Sequence, residues 1–429
     1  STLFDEELIK FFYEDCSRTL PSVFDGLKES QRKILFAAKK RNLIKELKVA
    51  QFGAYVAENT GYHHGEQNLM STIINMAQSF PGSNNIPLFS EEGMFGTRLC
   101  GGDDAASARY IFTKMTDACQ LLFPDNDVYN TRYCDGDVIE PEYYVPILPL
   151  LLINGCVGIA SGWMCSCPPF NPIHVLENAK LVMQNKPLTE MLPWFNGFTG
   201  KVIKISENKF ETHGLYEIKG NRVTVSELPI GLWNDKFKLY CETDDTILNL
   251  VDLSSTIHPK FVLTVSDKFD EKIFSKRLIT NFNTNNIVVF NENKKIKRVS
   301  VDDVFQMWAF KRTEYYESRK KRLIKQFEDD IENLLQKITF INLVKSKILD
   351  LTMKESDLIE IMKKHSITNL KLFDISIRQL SKDKSKQFNL DLSNKKSELV
   401  TIKQFTPYDM WCLDIENLLK IFTVKNGSK

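Results

Sequence analysis

Ala105-Ala106-Ser107-Ala108-Arg109-Tyr110 sets four small residues before an arginine and a tyrosine. The small side chains let a bulky partner, such as a DNA backbone, come close to the main chain. A tyrosine hydroxyl is a poor nucleophile near neutral pH, because an unperturbed phenol has a pKa of about 10. It attacks phosphorus only when positive charge or a base stands beside it. Arg109 is such a charge, and its guanidinium can also stabilise the extra negative charge of a five-coordinate phosphorus. Thirteen tyrosines are present, so the pair alone does not single out Tyr110.

Other residues offer compatible chemistry. Tyr62-His63-His64-Gly65-Glu66 puts two imidazoles beside a carboxylate. Adjacent histidines point in different directions, which makes a metal site a weak reading. One of them can donate to a phosphate or help a proton leave a hydroxyl, while a structural histidine pair is the plainer alternative. In Gly26-Leu27-Lys28-Glu29-Ser30-Gln31-Arg32-Lys33, cations fall in the first turns of a helix. They suit contacts to phosphates, which position a duplex without reading its sequence; a solvated helix face is the alternative. From Lys28 to Lys48 there are eight Lys or Arg against two acids. In Gly158-Ile159-Ala160-Ser161-Gly162-Trp163 a branched apolar side chain stands among small residues, either as a wedge between base pairs or as ordinary core.

These residues need elements to hold them. At 429 residues, with 43 % hydrophobic and 26 % charged side chains, the chain suits two to four folded domains rather than disorder. The formal net charge of +1 does not announce a polyanion partner, so any such site comes from local segregation of charge. Nine cysteines without a Cys-x-x-Cys pair fit reduced intracellular thiols better than zinc arms or a disulfide framework. The longest apolar run, Val145 to Ile153, is interrupted by Pro146 and Pro149 and falls short of a membrane span. No secretory signal opens the chain.

Apolar spacing predicts helices over Glu6 to Cys16, from Glu29, and over Leu69 to Phe80. With the Asp25-Gly26 turn, the basic helix from Glu29 is placed to enter a major groove, its Arg32 and Lys33 on faces away from the core. Strands are predicted at Lys201 to Ile205, Tyr216 to Ile218, Arg222 to Val225 and Phe261 to Val265. Beyond Asp302 the chain turns helical, and Phe327, Ile331, Leu334, Ile338 and Ile341 make a short coiled-coil seam. A helical segment follows at Ser356 to Phe373, then a polar stretch from Ser381 to Lys396, then a helix from Met410 to Phe422.

Taken together and in order, these segments resemble the breakage-reunion region of type IIA DNA topoisomerases. The resemblance rests on Asp25-Gly26-Leu27-Lys28, Gln31-Arg32-Lys33, His63-His64-Gly65-Glu66, Phe95-Gly96-Thr97-Arg98 and Ala105 to Tyr110. Further along it rests on Gly158 to Trp163, Pro168 to Pro172, Asn196 to Gly200, Glu227-Leu228-Pro229 and Arg312-Thr313-Glu314-Tyr315-Tyr316. The paired histidines and Arg-Tyr pair are closer to the eukaryotic and viral enzymes than to bacterial gyrase. Phe, Lys and Asn richness, with Glu29 where many relatives have proline, points to a divergent member such as those of large cytoplasmic DNA viruses.

The resemblance implies an α+β multidomain fold. It comprises a winged-helix DNA-binding domain over 1–140, a mixed α/β tower over 141–300, a coiled-coil arm over 301–352, a C-gate dimerisation region over 353–408, and the start of the returning arm over 409–429. It makes Tyr110 the nucleophile that forms a 5′-phosphotyrosine, with Arg109 stabilising the transition state. Lys28, Arg32, Lys33 and Arg98 become DNA contacts, Arg32 also supporting catalysis. His63 and His64 lie near the scissile phosphate, and Ile159 enters the base stack. Double-stranded DNA and a second copy of the chain are the implied partners, with no membrane. Mg²⁺ and ATP are the implied cofactors, held by toprim and ATPase regions outside these residues. No phosphate-binding Gly-x-x-x-x-Gly-Lys-Ser/Thr loop is present, and Asp125 and Asp127 lack the strand pattern of a toprim Asp-x-Asp. The chain is therefore expected to be a fragment beginning just after toprim, working in the nucleus or, if viral, in cytoplasmic virus factories. Two other readings remain, a non-catalytic winged-helix DNA bender and a structural dimerisation module.

Overall fold

We describe the chain from a computed structural model, which covers residues 2–62, 65–124, 132–134, 136–350, 353–374 and 382–426. His63, His64, Asp125 and Asp127 lie outside these residues. Two compact units are present: Ser1–Arg312 together with Asp414–Lys429, and Thr313–Leu413. Residues 1–140 and 141–300, expected as winged-helix and tower regions, both fall in the first of these units.

The first unit opens with α1 (Thr2–Thr19), followed by α2 (Glu29–Arg41), β1 (Leu47–Lys48), α3 (Val49–Thr60) and α4 (Glu66–Ala77). Ile34, Leu35 and Ala38 of α2, Val49, Phe52 and Val56 of α3, and Leu69, Ile73 and Met76 of α4 are buried. Their three- and four-residue spacing gives each helix one apolar stripe, and the stripes share a core. β2 (Phe112–Thr113) pairs antiparallel with β1, and the bridges Phe89↔Met115 and Glu92↔Phe112 add a third extended segment. A helix, a strand, two helices and two returning strands make a winged helix, and the long connection 93–111 is its wing. α5 (Asp117–Leu122) starts on Thr116, whose hydroxyl accepts from the Cys119 amide at 3.1 Å, a normal N-cap. β3 (Arg132–Cys134) and β4 (Asp137–Ile139) form a hairpin.

Next come α6 (Leu150–Asn154), the hairpin of β5 (Cys156–Ala160) and β6 (Trp163–Cys167), and α7 (Pro172–Met183). Alternation sends Val157 and Ile159 outward, at 66 % and 74 % exposure. Gly158 faces α1 so closely that a Cβ there would sit 2.2 Å from the Thr19 carbonyl oxygen. Only glycine lets the hairpin lie on that helix.

Two antiparallel sheets follow. They are built from β7 (Lys201–Ser206), β8 (Lys209–His213), β9 (Leu215–Lys219), β10 (Arg222–Glu227), β11 (Ile247–Asp252), β12 (Phe261–Val265) and β13 (Ile279–Asn283), with α8 (Asn234–Thr243) and α9 (Glu271–Arg277). Strand orders are β13-β8-β7 and β11-β12-β10-β9. Val223, Val225, Phe237, Phe261, Leu263 and Phe274 form the core beneath the larger sheet. The hairpin β14 (Ile287–Phe290) and β15 (Ile296–Val299) leads to α10 (Val301–Lys345).

α10 has 45 residues, or about 68 Å at 1.5 Å per residue. Its first turns belong to the first unit: buried Trp308 donates to the Pro146 carbonyl at 2.8 Å and buried Arg312 to that of Val145 at 2.7 Å. In the second unit, α10 is followed by α11 (Glu355–Lys364) and α12 (Lys382–Gln404), and α13 (Pro407–Asn426) carries the chain back into the first. Lys320 donates to the carbonyls of Lys403 and Phe405, while Lys395 pairs with Asp330 at 3.1 Å. α12 therefore runs antiparallel along α10. The stretch from 382, expected as a polar segment within the region 353–408, is this helix. Its polar composition hid it, because a helix in a two-helix arm leaves most of its surface in water.

Candidate nucleic-acid interface

The wing is held before it is used. Arg98, 2 % exposed, donates through Nη2 to Glu227 Oε1 at 2.6 Å. Glu227, fully buried at the end of β10, also accepts from the Thr199 amide and hydroxyl through Oε2. The Asp235 amide donates to the Leu99 carbonyl at 3.0 Å. Gly101, at φ +65°, presses on Trp233 so closely that a Cβ would lie 2.2 Å from the indole Nε1. Within the wing, Asp104 accepts from the Thr97 amide and hydroxyl, each at 2.7 Å. Gln78, at the end of α4, donates to the Phe95 carbonyl at 2.8 Å.

Tyr110 projects from this fixed base and is 70 % exposed. Its own amide donates to the Ser107 carbonyl at 2.9 Å, and the flanking Ala108 and Ile111 carbonyls accept from Ala50 and Val49 at 3.0 Å each. The backbone is therefore pinned on both sides of an open phenol. The Arg109 guanidinium lies 5.9 Å from the Tyr110 ring centroid. Among the described residues neither side chain has a hydrogen bond or ion pair.

Between the wing and α2 stands α4, whose open face is polar and uncharged: Gln67, Asn68, Ser71 and Asn75. A cleft of about 730 Å³ separates it from the wing and is lined by Ala105 to Arg109. On its other side a cleft of about 510 Å³ is lined by Arg18, Lys28 and Lys33.

Several expected DNA contacts are placed differently. Arg32, 7 % exposed, donates to Asp25 through Nε at 2.8 Å and through Nη2 at 3.2 Å, and to the Leu27 carbonyl at 2.9 Å. Burial opposes its charge, but Asp25 outweighs this and its pKa is raised. Lys33 donates to buried Glu140 at 2.8 Å and to the Thr60 carbonyl at 2.9 Å. The faces expected to be open on α2 are thus committed to ion pairs, and Arg98 is an interior residue. A count of Lys and Arg in a helix cannot anticipate this, because the partners Asp25 and Glu140 lie outside it. Lys28 is half-buried and donates to the Val157 carbonyl at 2.7 Å, joining α2 to the hairpin. Ile159 stands outward near the hairpin tip, where the Ser161 amide donates to Asp15 at 2.7 Å. That bond holds the Asp15 carboxyl below the usual range. Arg18 and the polar face of α4 escaped the sequence reading, since neither forms a motif with its chain neighbours.

The family profile of DNA gyrase/topoisomerase IV, A-type subunit, matches residues 18–416. The chain belongs to the type IIA DNA topoisomerases. Among relatives of this topoisomerase chain, the mitochondrial DNA topoisomerase 2 of Dictyostelium discoideum is 35 % identical over 96 % of the chain and 34 % of its own length. DNA topoisomerase 2 of Invertebrate iridescent virus 6 is 38 % identical over 84 % of the chain and 33 % of its own length. The Saccharomyces cerevisiae enzyme is 38 % identical over 82 % and 26 % respectively. The chain thus spans between a quarter and a third of these relatives. A crystal structure of the Plasmodium falciparum topoisomerase II DNA-binding, cleavage and re-ligation domain superposes with a TM-score of 0.89 at 31 % identity, covering 98 % of this chain and 64 % of that one. The topoisomerase resemblance of the motifs, and its eukaryotic and viral flavour, are borne out.

Proposed function

We propose that this chain is the DNA breakage-reunion core of a type II topoisomerase, with Tyr110 as nucleophile. The observation that carries the reading is an exposed tyrosine on an immobilised wing, next to an arginine that lines a cleft against a polar helix. In the reaction, the Tyr110 oxygen forms a bond to a DNA phosphorus as the bond from phosphorus to the 3′-oxygen breaks. The phenolic proton is lost and the 3′-oxygen gains one. A phosphotyrosine and a free 3′-hydroxyl result, and reversal reseals the strand. Because one phosphodiester replaces another, the exchange needs no nucleotide hydrolysis in the chemical step. Arg109 supplies positive charge to the phosphorane, and Arg18, Lys28 and the polar face of α4 supply contacts along the duplex.

Among the described residues no three His, Cys, Asp or Glu side chains converge as metal ligands. We assign Mg²⁺ and ATP to toprim and ATPase regions of a longer protein, and dimerisation to the second unit. No described helix is long and apolar enough to cross a membrane. The nucleus, or virus factories for a viral member, is where such a protein meets its DNA.

The test uses the full-length protein with supercoiled DNA and Mg²⁺, stopped with detergent. The wild type should yield protein-linked DNA and Tyr110→Phe none. Adducts from the phenylalanine variant would remove Tyr110 from the role. The outward Ile159 also favours a DNA-bending reading, which predicts that Tyr110→Phe leaves every measurable DNA transaction unchanged.

A further inference from the structure

Arg98 and Glu227 do more in this fold than fill space. The ion pair joins position 98, in the wing that carries Tyr110, to the last residue of β10 in the larger sheet, 129 residues later. It is fully interior: Arg98 is 2 % exposed and Glu227 0 %. Glu227 is shared, since Oε1 takes Arg98 and the Leu228 amide while Oε2 takes the Thr199 amide and hydroxyl. A single carboxylate therefore ties the wing to two separate segments of the sheet region. The Leu99 carbonyl and Gly101 meet Asp235 and Trp233 directly beside it, so the contact is a clasp rather than an isolated pair.

We propose that Arg98 and Glu227 are positioning residues for Tyr110, setting where its hydroxyl stands relative to a DNA phosphate held by the first unit. This rests on Tyr110 being the nucleophile. The physical basis is the geometry of attack. Tyr110 itself is open to solvent, so no packing around its ring fixes it; its place is set by the wing, which the amides of Val49 and Ala50 and the side chain of Gln78 hold on the helical side and the clasp holds on the sheet side. Binding of DNA to the clefts beside α4 does not require the clasp, whereas in-line attack does. A displacement of about 1 Å can lower such a rate by about 100-fold. The role differs from a phosphate contact, which would change affinity and its salt dependence instead.

The test compares full-length wild type, Glu227→Gln, Arg98→Met, Arg98→Lys and the double variant Arg98→Met with Glu227→Leu. Three quantities are measured: the single-turnover rate of protein-DNA adduct formation at saturating DNA, non-covalent DNA affinity across a salt series, and thermal stability. Tyr110→Phe serves as the control for the parent reading. If the wild type forms no adduct, or Tyr110→Phe forms one, the nucleophile assignment fails and not merely the clasp. If that control behaves, positioning predicts a fall of about 10- to 100-fold in the saturated rate for Glu227→Gln and Arg98→Met, with affinity and salt slope within about twofold of wild type. Arg98→Lys should recover part of the rate. The double variant removes both charges together, so it recovers stability relative to the single variants but not the rate. Three results overturn the proposal: an unchanged saturated rate in the single variants, a loss of affinity with a reduced salt slope, or a double variant that regains both stability and wild-type rate.

Discussion

At the scale of single residues, neighbouring cations in one sequence meet very different fates. Arg109 lies beside an open phenol, whereas Arg32, Lys33 and Arg98 are interior. Replacing Arg109 with glutamine should lower the saturated rate of adduct formation by about 10²- to 10³-fold, as loss of one transition-state donor does elsewhere, and leave the melting temperature near wild type. Glu140→Gln should act in the opposite way. It leaves buried Lys33 with only the half-exposed Glu29, at 3.6 Å, as counter-charge, so the loss should fall below the roughly 3–5 kcal/mol of a wholly broken buried pair, which a chemical denaturation series would show. The Arg109-Tyr110 pair can be proposed from the sequence because its chemistry is local and contiguous. The commitments of Arg32, Lys33 and Arg98 were not, because Asp25, Glu140 and Glu227 reach them only through the fold.

Among the elements, the β5-β6 hairpin shows how a sequence pattern becomes an exposed tool. Its alternation leaves Ile159 outward, while Gly158 lets the strand rest on α1. Ile159→Ala should therefore change stability by less than about 0.5 kcal/mol, as surface substitutions do, yet reduce the bend of a bound duplex read by energy transfer between its ends. The tip adds a pH dependence. Because the amide of Ser161 holds the Asp15 carboxyl below its ordinary range, folding favours the ionised form. The contribution is present above the unfolded carboxyl's pKa and is lost as pH falls through the lower folded value. The Ser161 amide resonance should titrate with a midpoint below that of a free aspartate, and Asp15→Asn should abolish that titration. Strands at Lys201, Tyr216, Arg222 and Phe261 were visible from alternation, and Phe261–Val265 was found with its bounds. β11 was missed because it shows water four of its six residues, which removes the apolar period. α12 was missed for the related reason that its surface is mostly solvated.

Over the whole molecule, two compact units imply two cooperative transitions. Phe340, Leu343, Leu358, Met362 and Ile367 form a small core of the second unit. Met362→Ala should remove about 2–5 kcal/mol from that unit and shift one calorimetric transition while the other stays. A single transition shifting as a whole would show that the units unfold together. The ordered motifs made the family legible along nearly the whole chain, but not the unit boundaries. Those depend on long-range ion pairs and packing, such as Arg98 with Glu227, which no local pattern carries.

Because Tyr110 stands open, a bond between its oxygen and a phosphate would be formed with no lid from the described residues above it. While the duplex remains seated, the nucleic acid itself is the shield. Once an end drifts away, the same ester is accessible to any repair hydrolase that recognises a tyrosyl phosphodiester. The lifetime of the broken state as a safe intermediate is then governed by how firmly the ends are gripped, and the exposure that admits the substrate also sets the hazard of losing it.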